Sequence, residues 1–211
     1  MVMAKAPVPG RVKTRLCPPC TPAAAAAVAE ACLADTLDAV ARCRADVKVL
    51  ALDGRAGPWL PAGFDVVPQR GVGLGARLSN AWRDTADLTG GWGLQIGMDT
   101  PQVTAAELDA LLDLVDRSHA VLGPAVDGGW WVIGLSGSDP DLVFRDVPMS
   151  RHDTGRAQEE RLRALGLDVR FAPTRRDVDT IEDLVAVAAE IPGSRTFDAT
   201  RRLIERAALA S

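Results

Sequence analysis

Tyrosine is absent from this sequence, and aromatic residues make up only 4% of its 211 positions. Few ring faces are therefore available to stack on bases, and a formal net charge of -4 provides no broad positive surface. Both absences argue against nucleic acid as a partner. No apolar run approaches the ~20 residues that span a bilayer, and no signal-peptide pattern opens the chain, so no membrane span and a cytoplasmic location are expected. Histidine occurs only as His119 and His152. His119 opens an apolar run and reads as structural. His152 sits in a polar Ser-Arg-His-Asp stretch, either solvated or closing on substrate. Neither forms a Ser/His/Asp order or a Cys/His pair, so covalent catalysis is not expected.

Cysteine is scarce too. Cys17-Pro-Pro-Cys20 has the C-x-x-C spacing of zinc and redox motifs, but zinc needs two further ligands. Cys32 and Cys43 lie on one expected helix, about 16 Å apart, and cannot both complete a tetrahedron. Nor does the motif open a helix directly after a strand, as a thioredoxin-type pair does. Reduced, partly buried thiols are the expected state.

The last absence organises the chain. No acidic residue precedes Glu30, while Lys5, Arg11, Lys13 and Arg15 place four cations within eleven residues. Met1 to Ala4 reads as a strand, broken at Pro7, Pro9 and Gly10. A cationic loop after a strand is a ready anion site, because charges and turn amides can face one ligand. The alternative is a solvated basic turn.

Thr21-Pro22 starts an Ala-rich helix over 22–44, with an N-cap hydroxyl and Pro at the first helical position. Strands are expected at 47–52, 64–67, 92–98, 120–122, 130–135 and 169–172. Helices are expected from Gly71 through Leu88, over 104–115, and near 157–166, 181–190 and 197–209. Residues 136–156 are polar and broken, and read as a mobile flap. No repeat or linker divides 1–211, which reads as a single domain. Strands alternating with helices predict an α/β/α sandwich around a mostly parallel sheet, with ligands at the carboxyl ends of the strands.

Several motifs fall at that edge. Asp99 ends a buried apolar strand, where a carboxylate needs a partner. A hard divalent cation supplies one, and a turn with Thr100-Pro101 is the alternative. Asp177 and Asp179 fall on the same side of an extended segment, so one of them can face a metal beside Asp99; Asp179 or Thr180 can equally cap the next helix. Gly71-Val-Gly73-Leu-Gly75 reads either as close approach to a base or ribose or as a tight turn. Asp127-Gly128-Gly129-Trp130 reads either as a sugar-facing turn, with Trp130 on an apolar sugar face, or as a hairpin with tryptophan in the core.

Taken together, Lys5-Ala-Pro7-x-Pro-Gly10-x-x-Lys13-Thr-Arg15-Leu, Ile96-Gly-x-Asp99-x-Pro101, Gly123-Pro-Ala-x-Asp127-Gly-Gly and Asp177-Val-Asp179-Thr-x-x-Asp183-Leu resemble the radical-SAM/selenodomain-associated transferases. These are glycosyltransferase-like proteins of the nucleotide-diphospho-sugar transferase superfamily. The likeness runs in order from about residue 1 to 190. It implies a three-layer GT-A-like fold, a nucleotide-activated donor, an acceptor of unstated identity and a divalent metal, Mg²⁺ or Mn²⁺. Carried onto this chain, Lys5, Pro7, Gly10, Arg11, Lys13 and Arg15 hold phosphates, with Lys13, Arg15 and Asp99 catalytic. Gly73 and Gly75 line the nucleoside pocket, Asp127, Gly128, Gly129 and Trp130 face donor sugar or acceptor, and Asp99 with Asp179 holds the metal. Gln102 stands where such proteins more often carry an acid, and Trp130 and Trp131 where Tyr is usual. Lys13-Thr-Arg15-Leu and Asp177-Val-Asp179-Thr also resemble 2-phospholactate guanylyltransferases, which keeps nucleotidyl transfer open. A non-catalytic nucleotide-binding regulator is the third reading. The oligomeric state, monomer or homodimer, is left open.

Overall fold

The computed structural model describes residues 1–115 and 119–209. Strand β1, Val2–Lys5, leads through a basic loop and a single 3₁₀ turn, Thr14–Leu16, into helix α1, Pro22–Arg42. Thr21 Oγ1 accepts from Ala24 N at 3.2 Å, so the Thr-Pro start caps the helix as its sequence predicts. Then follow β2, Val49–Asp53; β3, Asp65–Pro68; α2, Leu74–Asp84; α3, Ala86–Thr89; β4, Trp92–Gly97; and α4, Ala105–Leu114. The chain continues with β5, His119–Pro124; β6, Trp130–Ser136; α5, Pro140–Phe144; α6, Thr154–Ala164; β7, Asp168–Phe171; α7, Ile181–Glu190; and α8, Arg195–Leu209.

The seven strands form one sheet in the order β3-β2-β1-β4-β6-β5-β7. All neighbours are parallel except at β6, which runs antiparallel to both β4 and β5. Strand alternation sorts the side chains. Val2, Ala4, Leu50, Leu52, Leu94 and Ile96 face α1 and α4. Met3, Ala51, Leu122, Ile133 and Leu135 face α2, α5 and α6. Behind α1 lies a third cluster, in which Ala25, Val28 and Cys32 meet Leu184 and Val187 of α7 and Ala199 of α8. Helix α1 is thus covered on both sides, which explains its run of alanines: only small side chains allow two layers to approach one helix. The result is the expected three-layer α/β/α fold with a mostly parallel sheet.

Two expectations are corrected. The stretch 136–156 is no loose flap: Val143, Phe144 and Val147 are buried, and Gln158 of α6 donates to the Val143 carbonyl at 3.0 Å. A short apolar triplet inside a polar run dilutes its own signal. The helix expected from Gly71 through Leu88 breaks at Thr85, whose hydroxyl bonds back to Ala81 and Trp82 carbonyls, and its last turn ends at left-handed Gly90.

Candidate functional site

The carboxyl ends of β1 and β4 lie side by side, because these strands pair in parallel. The loop after β1 tightens through Val8 N to Ala6 O (2.8 Å) and Arg11 N to Val8 O (3.0 Å). Lys13 then adopts a left-handed backbone (φ 48°, ψ 37°), uncommon for a non-glycine residue. That turn sends its side chain inward: Nζ stands 2.6 Å from Asp99 Oδ1 and donates to the Val178 carbonyl. The Lys13 side chain is only 6% exposed, while Asp99 is 43% exposed. Burial works to lower the Lys13 pKa, but Asp99 and more distant Asp179 outweigh it, and the net shift is upward. Lys13 was expected among the phosphate-binding cations; the structure instead places its ammonium against Asp99, away from solvent. The other basic residues keep their charge outside. Lys5 is exposed, Arg11 is 67% exposed at 4.0 Å from Asp53, and Arg15 is 75% exposed and paired with Asp179.

The acidic half is assembled by backbone bonds. Val178 N donates to Asp99 O at 2.8 Å, and Gln102 Nε2 to Arg176 O at 2.6 Å, so the segment before α7 lies along the turn after β4. Arg175 continues the line by bonding Pro124 and Val126 through its backbone and Glu107 through its guanidinium, at 2.8–3.2 Å. Asp127 joins from the β5–β6 turn, where its Oδ1 accepts from Gly129 N at 2.7 Å. Asp177, in the segment before α7, is half-buried. Its pKa is pushed up to about 6, first by burial, then by Asp127 and, further off, Asp99, with Lys13 pulling the other way. Asp179 pairs with Arg15, while Asp177 feels the charges of Asp127 and Asp99. Among the described residues, no three His, Cys, Asp or Glu side chains converge tightly enough to form an ion site from protein groups alone. What the edge offers is carboxylate oxygens, of which those of Asp99 are partly exposed and one already meets the Lys13 ammonium. That chemistry fits a hard divalent ion completing its shell with water and phosphate.

The glycine motifs play different parts. Gly73, at φ 80°, caps α2 in an exposed loop, and a Cβ there meets nothing within 4 Å. At half-exposed Gly75 a Cβ would instead meet the Phe144 carbonyl oxygen at 3.5 Å and the Met149 side chain. Gly128 is the tightest position: at φ 88°, a Cβ would sit 1.9 Å from the His152 carbonyl oxygen. Gly155 N in turn donates to Gly128 O at 2.8 Å. The Asp127-Gly-Gly turn is therefore locked onto the start of α6. Trp130 stacks on Phe144 with ring centroids 6.4 Å apart, and Trp131 is buried with Nε1 bonded to Pro173 O at 2.9 Å. Of the two tryptophans, Trp131 lies in the core and Trp130 is partly buried against it.

Two residues escaped the sequence reading. Asp53 ends β2 as Asp99 follows β4, and Arg77 of α2 holds it at 2.8 Å. The same rule, an acid closing a buried strand, would have found Asp53. Gln69 fills the space beside them, donating to Ala4 O and Ala51 O at 2.8 and 2.9 Å. All four cysteines are free thiols, and burial pushes Cys32 up to about 12.

The seven-stranded, mostly parallel sheet matches a nucleotide-diphospho-sugar transferase-like fold. A candidate nucleotide-diphospho-sugar transferase from Desulfovibrio desulfuricans G20 superposes with a TM-score of 0.84 at 28% identity, over 95% of this chain and 92% of that one. Rv0371c of Mycobacterium tuberculosis H37Rv, solved in complex with manganese, matches at 22% identity and a TM-score of 0.53 over 88% and 95% of the two chains. Its homologue from Mycobacterium sp. strain JC1 matches at 19% and 0.51 over 90% and 96%. These two show the fold alone. No curated protein is significantly similar to the chain. The chain belongs to the family described as uncharacterized proteins conserved in bacteria (DUF2064), whose profile matches residues 23–151.

Proposed function

We propose that this protein is a metal-dependent transferase acting on a nucleotide-activated donor, with glycosyl transfer from a nucleotide-diphospho-sugar as its reaction. The observation that carries this reading is the meeting of two halves at one sheet edge: exposed cations after β1, and the carboxylates Asp99, Asp127 and Asp177 after β4, β5 and β7. The name of the Desulfovibrio relative, similar over nearly the whole chain, and the manganese bound by Rv0371c favour the same reading. So do the motifs resembling the radical-SAM/selenodomain-associated transferases.

Lys5, Arg11 and Arg15 would hold the diphosphate, with Pro7 and Gly10 shaping the loop. Arg forks bind phosphate oxygens at two points, and Arg15 can exchange Asp179 for the ligand. Gly73 leaves room for the nucleoside. Asp99 and Asp177 would hold Mg²⁺ or Mn²⁺, which neutralises charge developing on the departing diphosphate. The Asp127 turn, fixed on α6, would meet sugar or acceptor hydroxyls with its second carboxylate oxygen. The whole of 1–211 acts as one unit in the cytoplasm.

The test is a thermal-shift screen of nucleotides and nucleotide sugars with and without Mn²⁺, followed by product analysis of the hits. Ligands that bind the native state raise its melting temperature. A nucleotide sugar should raise it more with Mn²⁺ than without, and hits should yield a free nucleoside diphosphate with an acceptor. Pyrophosphate released from a nucleoside triphosphate would move the reaction to nucleotidyl transfer. No shift with any nucleotide would end the proposal.

A further inference from the structure

We infer that Lys13 is a built-in counter-ion of the carboxylate cluster, holding the place a divalent cation shares, and not a ligand for phosphate. This rests on the reading above that Asp99 and Asp177 take the ion.

An ammonium has three donors. One meets Asp99 Oδ1 at 2.6 Å and a second meets the Val178 carbonyl. The side chain is 6% exposed, against 67% for Arg11 and 75% for Arg15. A lysine so enclosed presents little surface to a diphosphate, while the guanidinium groups of Arg11 and Arg15 are mostly exposed. Lys13 also has a left-handed backbone, and its ammonium is enclosed while the guanidinium groups of Arg11 and Arg15 are exposed.

The ammonium also ties together three separate stretches, the loop after β1, the turn after β4 and the segment before α7. The second and third are also joined by Val178 N to Asp99 O and by Gln102 Nε2 to Arg176 O. With Asp127 and Asp177 close by, these stretches carry like charges that repel one another. A fixed cation offsets that repulsion before any ion arrives. It does so at a cost to ion affinity, because a dication settling beside Asp99 must accept a positive neighbour that shares the same carboxylate. The chain is built to keep its acidic edge assembled and to bind the ion only moderately on its own.

The protein has three lysines, Lys5, Lys13 and Lys48, which makes the test clean. Lys13→Gln and Arg15→Gln are each titrated with pyrophosphate in EDTA by calorimetry, and with Mn²⁺ alone by electron paramagnetic resonance. Lys13→Gln should leave pyrophosphate affinity within about twofold and tighten Mn²⁺ at least about fivefold, since a positive neighbour of the ion is removed. Arg15→Gln should weaken pyrophosphate at least about fivefold, the loss of one charged hydrogen bond to phosphate. Lys13→Arg, which keeps the charge, should return Mn²⁺ affinity to near the wild-type value. A Lys13→Gln protein that loses pyrophosphate as Arg15→Gln does, or whose Mn²⁺ affinity fails to tighten, overturns the inference. Should Lys13→Gln not fold, acetylation of the wild type read by mass spectrometry decides. Lys5 should react and be shielded by pyrophosphate, and Lys13 should stay unreactive with or without it. Free reaction of Lys13 that pyrophosphate suppresses overturns the inference. A wild type that binds neither Mn²⁺ nor pyrophosphate overturns the proposed function itself, and with it the ion that Lys13 would share.

Discussion

Replacing Asp177 by asparagine should make the metal-free protein more stable, although it removes a charged residue from the candidate site. Asp177 is half-buried, and its carboxyl is pushed from an ordinary 3.8 to about 6 by burial and by Asp127 and Asp99. A folded-state pKa above the unfolded value means that the native protein keeps a proton the unfolded chain has lost. The contribution of this carboxyl to stability is therefore most favourable below about pH 4, falls as pH rises from 3.8 to about 6, and levels off above that. A shift of about two units corresponds to roughly 3 kcal/mol at 1.36 kcal/mol per unit, and partial solvent exposure reduces this to about 1–2 kcal/mol. The asparagine side chain keeps the shape without the charge. Urea unfolding should show Asp177→Asn stabilised by about 1–2 kcal/mol at pH 7.5 and unchanged at pH 4, which in melting temperature is about 3–6 °C for a chain this size. Saturating Mn²⁺ at pH 7.5 should stabilise the wild type more than the variant. Equal stability of the two proteins at pH 7.5, or the same gain at both pH values, would refute the placement of Asp177 among uncompensated carboxylates.

Other consequences can be checked separately. Gly128→Ala forces a Cβ against the His152 carbonyl at a left-handed φ, so it should cost about 2–4 kcal/mol in urea unfolding and shift the amide resonances of residues 127–129 and 152–155. Glu107→Ala removes the partner of half-buried Arg175 and should destabilise by about 2 kcal/mol, with Glu107→Gln losing less because one hydrogen bond survives. Thiol titration of the native protein should label partly exposed Cys17 first and leave Cys32, buried and pushed up to about 12, unreacted until unfolding. Rapid labelling of Cys32 would contradict the packing of α1 against α7 and α8.

The parts of this molecule that were legible in its sequence are those fixed by local chemistry. Thr21-Pro22 and Thr104 with Glu107 announced their helices, and both hydroxyls accept the bonds expected of them. Alternating apolar strands and helices dictated the mostly parallel sheet, and Pro7, Gly10 and Asp99 marked the ends of β1 and β4. What stayed hidden depends on contacts between distant stretches. Nothing local says that Lys13 turns inward while Arg15 stays outside; that follows from the Val178 carbonyl 165 positions away. Trp130 lies beside a turn whose glycines could equally have faced a sugar, and only the proximity of Phe144 decides for packing. Asp177 and Asp179 look equivalent in the sequence, and only the fold shows that Asp179 pairs with Arg15, 164 positions away.

The central claim, that an ion and a nucleotide diphosphate meet between the β1 loop and the carboxylates, is tested most directly by anomalous scattering from crystals soaked with MnCl₂ and a nucleoside diphosphate. The account predicts one manganese peak about 2.0–2.3 Å from oxygens of Asp99 and Asp177, with phosphate oxygens reaching Arg11 and Arg15. Manganese bound elsewhere, or a diphosphate seated away from that loop, would contradict it.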